Sequence, residues 1–138
     1  MDDLLALGKQ VLQAQPFSLF VGAEITEFSI GHAVIVLPIR AELKQQFGYV
    51  HGGAISFVVD NALTFAGGSV LGAQVVTMGF TINYLVPAVG EQLIGRASVI
   101  HTSKRHAVCR CDVVAVSGGQ ETLCATAQGT IAKMSSVE

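Results

Sequence analysis

The segment at residues 54–66 constrains the fold of this chain most strongly. Its apolar side chains cover almost every side of a helical wheel, so a helix formed here must be buried nearly all round. Gly67, Gly68 and Gly72 then interrupt the pattern, which predicts that the helix ends near residue 66. Such a helix needs other elements of the chain to enclose it.

Strand-forming segments precede and follow this helix. They lie at residues 22–29, 32–37, 77–84, 92–102, 105–116 and 121–133. The first two are predicted to form a hairpin, and short links join the last three, as in an antiparallel sheet. The sequence therefore predicts one α+β domain over residues 1–138, with an antiparallel β-sheet wrapped around a long central helix.

Two details of this prediction concern single elements. Apolar residues between Leu4 and Leu12 recur near helical spacing, which indicates a short N-terminal helix with Asp2 or Asp3 as N-cap and Pro16 as its end.

The alternation at 77–84 places Met78, Phe80, Ile82 and Tyr84 on one strand face. Thr77 is expected on the opposite face.

Composition narrows the class of function. Eight Lys and Arg against ten Asp and Glu give a formal net charge of −2, so neither nucleic acid nor an acidic membrane surface is an expected partner. At 51% hydrophobic and 13% charged residues, an oligomer is favoured. The longest strongly apolar run, 33–39, is far shorter than the roughly 20 residues of a membrane-spanning helix. With no visible signal peptide, a cytoplasmic protein without a membrane segment is expected.

The cysteines and histidines give no sign of a metal or a disulfide. The cysteines are Cys109, Cys111 and Cys124. Their odd number and the lack of a C-x-x-C spacing support neither a disulfide framework nor a zinc site, so we expect buried small hydrophobic residues. His32, His101 and His106 also lack metal-ligand spacing. No metal and no other cofactor is expected.

Asp60 is the main candidate for chemistry. It is the only acidic residue between Glu42 and Glu91 and lies in the middle of the predicted buried helix. A buried carboxylate is costly unless it is paired or has a function. The alternative is a polar residue at a subunit interface, hydrogen-bonded to a neighbour such as Asn61 or Thr64.

The sequence His51-Gly52-Gly53 marks the start of the same helix. The first amides of a helix lack partners within the helix, and the helix dipole is positive there. Both features suit a developing oxyanion, and the glycines leave room for a ligand carbonyl. The alternative is a simple turn.

Asp60 and Gly52 cannot reach one ligand within a single chain. Eight residues separate them, or about 12 Å along a helix axis. If two chains pack with these helices antiparallel about a two-fold axis, Asp60 of one chain approaches Gly52 of the other. The sequence thus predicts two composite sites per dimer.

Three stretches of the chain carry a family resemblance. They are residues 45–54 (QQFGYVHGGA), 60–62 (DNA) and 77–87. Most specific are the His-Gly-Gly motif with an Asp nine residues after the His and the strand that ends in Asn-Tyr-Leu-Val-Pro. Over roughly residues 20–132 the chain resembles the phenylacetate-degradation type of hotdog-fold acyl-coenzyme A thioesterase.

The resemblance implies a homodimer, or a homotetramer built as a dimer of dimers, that hydrolyses acyl-coenzyme A thioesters without a metal. Asp60 would act as general base or as nucleophile, and the Gly52 amide would stabilise the oxyanion. Thr77 matches a Ser or Thr that helps to place the water. Gln45 stands where many members carry an Asn that holds the thioester or the water, and His51 is expected to support the loop.

The resemblance also implies where the substrate binds. Gly53 is expected to line the substrate site beside Gly52. Lys104 and Arg105 lie in a predicted turn between two strands, where similar proteins offer basic residues to the phosphates of coenzyme A. The alternative for these two cations is simple solvation.

Two other functions remain open on the same scaffold. A hotdog hydratase or dehydratase pairs its carboxylate with a catalytic His in a local pattern that this sequence lacks. A non-catalytic acyl-coenzyme A binding module would have no use for Asp60 beside Thr77. The acyl group itself is not identified. Candidates to line its pocket are Phe57, Phe65, Phe80 and Tyr84, and the alternative is that these aromatic residues belong to the core.

Overall fold

The structure, a computed structural model, describes residues 4–135. Three α-helices and six strands follow one another in this part of the chain. The helices are α1 (Leu4–Gln13), α2 (Pro16–Val21) and α3 (Gly52–Leu71), and a short 3-10 helix covers Ala41–Leu43. The strands are β1 (Glu24–Ser29), β2 (His32–Pro38), β3 (Val75–Tyr84), β4 (Gln92–Thr102), β5 (His106–Ser117) and β6 (Gln120–Lys133).

The strands form a single sheet that encloses α3. Their order is β1-β2-β4-β5-β6-β3, and each neighbouring pair is antiparallel. All six strands contact α3, and half of this 20-residue helix is buried. The predicted α+β architecture, an antiparallel sheet wrapped around a long central helix, is confirmed.

Helix α3 is longer than predicted because Gly67 and Gly68 lie inside it. A Cβ atom on Gly67 would lie 2.6 Å from Cβ of Ile131 in β6, so glycine here lets the helix approach the sheet closely. The helix ends one turn later at Gly72, whose φ of +108° suits glycine. The predicted end near residue 66 was wrong, because Gly67 is required for close packing against β6 and does not terminate the helix.

By length and composition alone, α3 is long and apolar enough to cross a membrane. The expectation based on the run at 33–39 overlooked this helix. In the structure more than half of its most apolar part is buried inside the fold, which is the environment of a core helix.

The N-terminal region contains a helix that the sequence did not predict. Helix α1 ends at Gln13, before Pro16 as predicted. Pro16 then begins α2, because the missing N–H of proline costs nothing at a first helical position. Gly22 ends α2 with a φ of +88°, so β1 begins at Glu24. The predicted N-cap at Asp2 or Asp3 lies outside the described residues.

Strand β3 contains a bulge that changes the face of its first residues. Thr77 lies opposite Ile131, and the register then shifts before Gly79. The extra residue, Met78, is 64% exposed, whereas Thr77 contacts α3 and Phe80 packs against the core. The predicted strict alternation, with Met78 beside Phe80 and Thr77 opposite, was therefore wrong at this end of the strand.

The three cysteines lie in the core between the sheet and α3, and all are free and fully buried. Burial raises the pKa of the Cys109 thiol to about 11 and that of Cys111 to about 12. These side chains stay protonated at neutral pH and act as small hydrophobic residues, as predicted.

Candidate active site

Two grooves in the structure contain the predicted catalytic residues. The first, called the amide groove, has a volume of about 350 Å³. It is lined by Gln45, Tyr49, Val50, Gly52, Ile55 and residues 84–88. The second, called the carboxylate groove, has a volume of about 240 Å³ and is lined by Phe57, Asp60, Asn61, Thr64, Val76 and Thr77. One chain thus keeps Gly52 and Gln45 apart from Asp60 and Thr77.

The start of α3 leaves one amide available in the amide groove. His51 is the N-cap, and its Nδ1 accepts the Gly53 N–H at 2.8 Å. The His51 carbonyl accepts the N–H of Ala54 at 2.9 Å and that of Ile55 at 3.3 Å. The Gly52 N–H has no hydrogen-bond partner among residues 4–135, so it is free to donate to a ligand carbonyl.

The same contacts bear on two other predicted residues. His51 supports the loop through Nδ1, which must be unprotonated to accept the Gly53 amide. The Gly53 N–H is occupied by this bond, and a Cβ on Gly53 would lie 3.0 Å from the ring of His51. A role of Gly53 in substrate binding stays a prediction.

Gln45 presents an amide group to the amide groove. Its Oε1 accepts the N–H of Phe47 at 2.5 Å and that of Tyr49 at 3.4 Å. These bonds fix the side chain within its own turn and leave the Nε2 amino group as a donor. Gln45 therefore offers a second donor in the groove that holds the Gly52 amide.

Tyr84 also lines the amide groove. From the sequence it was suggested only as a residue of an acyl pocket. Its hydroxyl donates to the Gly52 carbonyl at 3.2 Å, and its ring faces the position of a Cβ on Gly52 at 3.5 Å. The tyrosine ties the end of β3 to the start of α3. No sequence pattern signals this contact, because it depends on how the strand and helix pack.

The carboxylate groove is organised around half-buried Asp60 and two threonines. Thr77 in β3 donates to Asp60 Oδ1 at 2.6 Å. Thr64, one helical turn after Asp60, donates to the Asp60 carbonyl at 2.7 Å, and its Oγ lies 2.8 Å from Oγ of Thr77. Thr64 was suggested only as a structural partner of Asp60, although its i+4 spacing places it on the same helix face.

The surroundings of Asp60 are uncharged. In the described part of the chain, the side chains that line this groove beside Asp60 carry no ionisable group. Asn61 is buried and its Nδ2 donates to Ser18 Oγ of α2 at 3.4 Å, so its amide group serves helix packing. Among the described residues no cluster of His, Cys, Asp or Glu could hold a metal ion.

The predicted aromatic candidates for an acyl pocket separate in the structure. Phe65 is buried and packs edge-on against Phe28 at 5.4 Å, and Phe80 packs on the core. Phe57 lines the carboxylate groove and meets Phe17 of α2 edge-on at 5.4 Å. Of the phenylalanines suggested, Phe57 is the one placed beside Asp60.

Lys104 and Arg105 lie exposed in the turn between β4 and β5. The Arg105 carbonyl accepts the Lys133 N–H at 2.8 Å, and Arg105 Nη2 donates to the Lys133 carbonyl at 3.3 Å. The end of β6 therefore adds a third cation that the sequence analysis missed, because it depends on strand register. We call Lys104, Arg105 and Lys133 the basic turn.

The basic turn lies at the sheet end nearest the carboxylate groove. Ala107, two residues after Arg105, is opposite Ile131 of β6, and Ile131 is opposite Thr77 of β3. Two strand spacings put Ala107 about 10 Å across the sheet from Thr77. Tyr84 and the amide groove belong to the other end of β3.

Known proteins share this architecture. A solved thioesterase family protein from Silicibacter pomeroyi is 30% identical, with a TM-score of 0.84 over 89% of this chain and 92% of that chain. An asparagine-to-aspartate variant of the phenylacetic acid degradation protein PaaI from Thermus thermophilus is 27% identical, with a TM-score of 0.77 over 87% and 100% of the two chains.

A curated relative and a family model define the class. The 1,4-dihydroxy-2-naphthoyl-CoA hydrolase of Listeria monocytogenes serotype 1/2a (strain 10403S) is 27% identical over 86 residues, or 61% of this chain and 70% of that protein. The six-stranded sheet around α3 is a hotdog fold. The thioesterase superfamily model matches residues 47–122, more than half of the chain, and the chain belongs to this family. The predicted resemblance and enzyme class are confirmed.

Proposed function

We propose that this thioesterase hydrolyses acyl-coenzyme A in a site shared by two protomers, with Asp60 from one and the Gly52 amide from the other. The observation that carries the proposal is the division of the predicted catalytic residues between two grooves of one chain. About 12 Å of helix axis separates Gly52 from Asp60. The naphthoyl-CoA hydrolase among the relatives supports the substrate class.

The free edge of the sheet supports a partner beside the carboxylate groove. Strand β3 is last in the sheet order and pairs with β6 alone among the described strands. Val76 and Met78 of this strand are 47% and 64% exposed. An apolar unpaired edge favours association with a second chain, and a two-fold axis there sets the helices antiparallel.

In this dimer the thioester carbonyl accepts hydrogen bonds from the partner's Gly52 amide and from Nε2 of the partner's Gln45. Asp60 takes a proton from water while the water oxygen bonds to the carbonyl carbon. The oxyanion that forms is stabilised by the two donors. Its collapse breaks the carbon–sulfur bond and releases the carboxylic acid and coenzyme A, whose thiolate takes up the proton.

The basic turn suits the phosphate groups of coenzyme A. Lys104 has no ion-pair or hydrogen-bond partner among the described residues, so its charge is available to a ligand. Arg105 is held against β6 by its bond to the Lys133 carbonyl. The turn lies near the carboxylate groove, so the protomer that supplies Asp60 also supplies these cations.

Release of free thiol tests the activity directly. Benzoyl-, phenylacetyl- and hexanoyl-coenzyme A are incubated with the protein and the thiol is read with a chromogenic reagent. The buried protein cysteines contribute little to the signal. Thiol release is expected for at least one substrate. Binding without release would indicate a non-catalytic module. A change in the absorbance of an enoyl-coenzyme A tested in parallel would indicate a hydratase or dehydratase.

Mixed dimers test the shared site. Asp60→Asn and Gly52→Pro each inactivate both sites of their own homodimer. A mixed dimer keeps one intact site, made by Asp60 of the proline variant and Gly52 of the asparagine variant. Equal mixing after unfolding and refolding together should restore about a quarter of the wild-type activity. Activity that stays at the level of the two separate variants would contradict a site built from two chains.

A further inference from the structure

Helix α2 carries two exposed aromatic rings next to the carboxylate groove. Phe17 is 60% exposed and Phe20 is 75% exposed. The ring of Phe17 meets Phe57 of the groove edge-on at 5.4 Å, and the ring of Phe20 lies 6.5 Å from that of Phe17. We call these three rings the aromatic strip. Because the strip begins at a residue that lines the groove with Asp60, it extends the site along an apolar surface, and contiguous exposed apolar surface is typical of a binding site.

Contacts with the rest of the fold hold α2 in a fixed position. At its C-terminal end, Arg40 Nη1 donates to the Val21 carbonyl at 2.6 Å and Arg40 Nη2 donates to the Phe20 carbonyl at 2.9 Å. On the side that faces α3, buried Ser18 accepts a hydrogen bond from Asn61 Nδ2 at 3.4 Å. An anchored helix therefore presents the exposed rings, so ordering them around a ligand costs little entropy.

The packing of α3 on β3 gives the direction in which the substrate lies. A Cβ on Gly68 would contact Val75, where β3 begins, and a Cβ on Gly52 would contact Tyr84, where β3 ends. The basic turn lies at the same end of the sheet as Val75, which is opposite Lys133. The path along α3 from Gly68 to Gly52 therefore leads away from the basic turn.

The acyl group and coenzyme A extend in opposite directions from the thioester that joins them. In the proposed function the phosphates lie at the basic turn and the reacting carbon lies beside Asp60. Phe57 is three residues before Asp60 on α3, about 4.5 Å farther from the basic turn along the helix axis. The acyl group is therefore directed toward Phe57 and the aromatic strip.

We propose that Phe17 is a specificity-determining residue, whose ring forms a wall of the acyl subsite with Phe57 and packs on the hydrocarbon part of the acyl group. The inference rests on the proposed function and deepens it. Helix α2 precedes residues 47–122, which the family model matches, so this wall combines the central helix with an element from outside the matched range. Because contacts between a ring and a hydrocarbon are apolar, this wall discriminates by the size and length of the acyl group.

Ligands that cannot be hydrolysed test the inference by binding alone. S-methyl- and S-hexyl-coenzyme A are thioethers without a carbonyl group, and isothermal titration calorimetry gives their Kd values. The wild-type protein should bind S-hexyl-coenzyme A more tightly, because the longer chain removes more apolar surface from water. Phe17→Ala should raise Kd for S-hexyl-coenzyme A about 5- to 10-fold, as for the loss of one aromatic contact, and Kd for S-methyl-coenzyme A less than about 2-fold.

Controls separate the acyl subsite from other effects of the substitution. Ile30 is 71% exposed in the turn between β1 and β2 and lines neither groove, so Ile30→Ala should leave both Kd values unchanged. Phe17→Leu keeps a large apolar side chain and should recover part of the affinity for S-hexyl-coenzyme A. Light scattering should give Phe17→Ala the mass of the wild-type assembly, because the strip contacts the ligand and not another subunit.

Equal rises of the two Kd values in Phe17→Ala, or no rise in either, would overturn the inference. A smaller assembly with an unchanged preference for the hexyl chain would also overturn it, since the strip would then be a contact between copies of the chain. The proposed function fails by a different result, namely wild-type turnover by Asp60→Asn, which the thioether titrations do not measure.

Discussion

Thr77 donates a 2.6 Å hydrogen bond to Asp60 Oδ1, and this contact depends on the bulge at Met78. Without the extra residue, Thr77 would share a face with Thr81, which is exposed, and its hydroxyl would point away from α3. The register shift between Thr77 and Gly79 turns Thr77 toward the helix while Phe80 still packs on the core. Bulges often re-aim a side chain beside an active site.

Replacement of Asp60 by Asn tests the central residue. Asn keeps the size of the side chain and accepts the Thr77 hydroxyl but cannot take a proton from water. We expect kcat to fall about 100-fold or more, the order of magnitude for a positioned base, with unchanged folding and subunit association. Thiol release gives kcat, thermal unfolding reports on folding, and light scattering reports on subunit association. Near-normal turnover would exclude Asp60 as the catalytic carboxylate.

The Gly52 amide is a backbone group, yet one substitution removes it. Gly52 is the first residue of α3, where proline is tolerated, and His51 has φ −61° and ψ 137°, which suits a residue before proline. Gly52→Pro deletes the N–H that would stabilise the oxyanion. We expect kcat to fall by about 100-fold, as when one oxyanion donor is lost, with little change in unfolding temperature.

Gly52→Ala is the matched control for this variant. Its Cβ would meet the Tyr84 ring at 3.5 Å, an ordinary contact distance, and the amide is retained. The alanine enzyme should therefore stay within about 10-fold of wild type while the proline enzyme does not. Equal losses in the two variants would point to crowding in the amide groove and against a hydrogen bond from Gly52.

Much of the fold follows from local patterns. The apolar segment at 54–66 predicts a buried central helix because burial all round is the only way to hide its side chains. Asp60 stands out within this segment because a charged side chain is unexpected in a helix that is buried all round. The antiparallel sheet follows from short links between strands. These features depend on residues that are close together in sequence, so they can be predicted from the sequence alone.

The features that the sequence did not predict depend on contacts between distant residues. Glycine usually disfavours helix, which suggested that α3 ends before Gly67. Gly67 nevertheless lies inside α3, where it allows the helix to approach Ile131 of β6. The bulge at Met78 depends on pairing with β6. Lys133 joins the basic turn through strand register. Only the three-dimensional arrangement decides each of these cases.

Two neighbouring glycines of α3 should differ in their tolerance of alanine. A Cβ on Gly67 would lie 2.6 Å from Ile131 Cβ, whereas a Cβ on Gly68 would meet Val75 Cγ2 at 3.4 Å. Gly67→Ala should destabilise the fold by about 1–3 kcal/mol through overpacking. Gly68→Ala should be neutral or stabilising by up to about 1 kcal/mol, because alanine favours helix.

Urea unfolding gives the free energy of unfolding of each variant. All proteins are measured at the same protomer concentration, because the apparent stability of an oligomer depends on concentration. A Gly67→Ala protein as stable as Gly68→Ala would contradict the close approach of α3 to β6.

The basic turn should matter for the nucleotide part of the substrate. In a Lys104→Ala/Arg105→Ala double variant, loss of two exposed charges facing phosphate should raise KM for acyl-coenzyme A about 5- to 20-fold. A thioester of the same acid with N-acetylcysteamine lacks the phosphates, so its KM should hardly change. Rates at low and high salt should also converge in the double variant, because exposed charges are screened.

Lys9 provides the control for a general effect of charge. It is exposed on α1 and lines neither groove, so Lys9→Ala should leave KM for both thioesters unchanged. Equal rises in KM for the two thioesters in the double variant would show that the basic turn acts on the fold or the acyl site. A selective rise for acyl-coenzyme A would place the phosphates at the end of the sheet that carries Asp60.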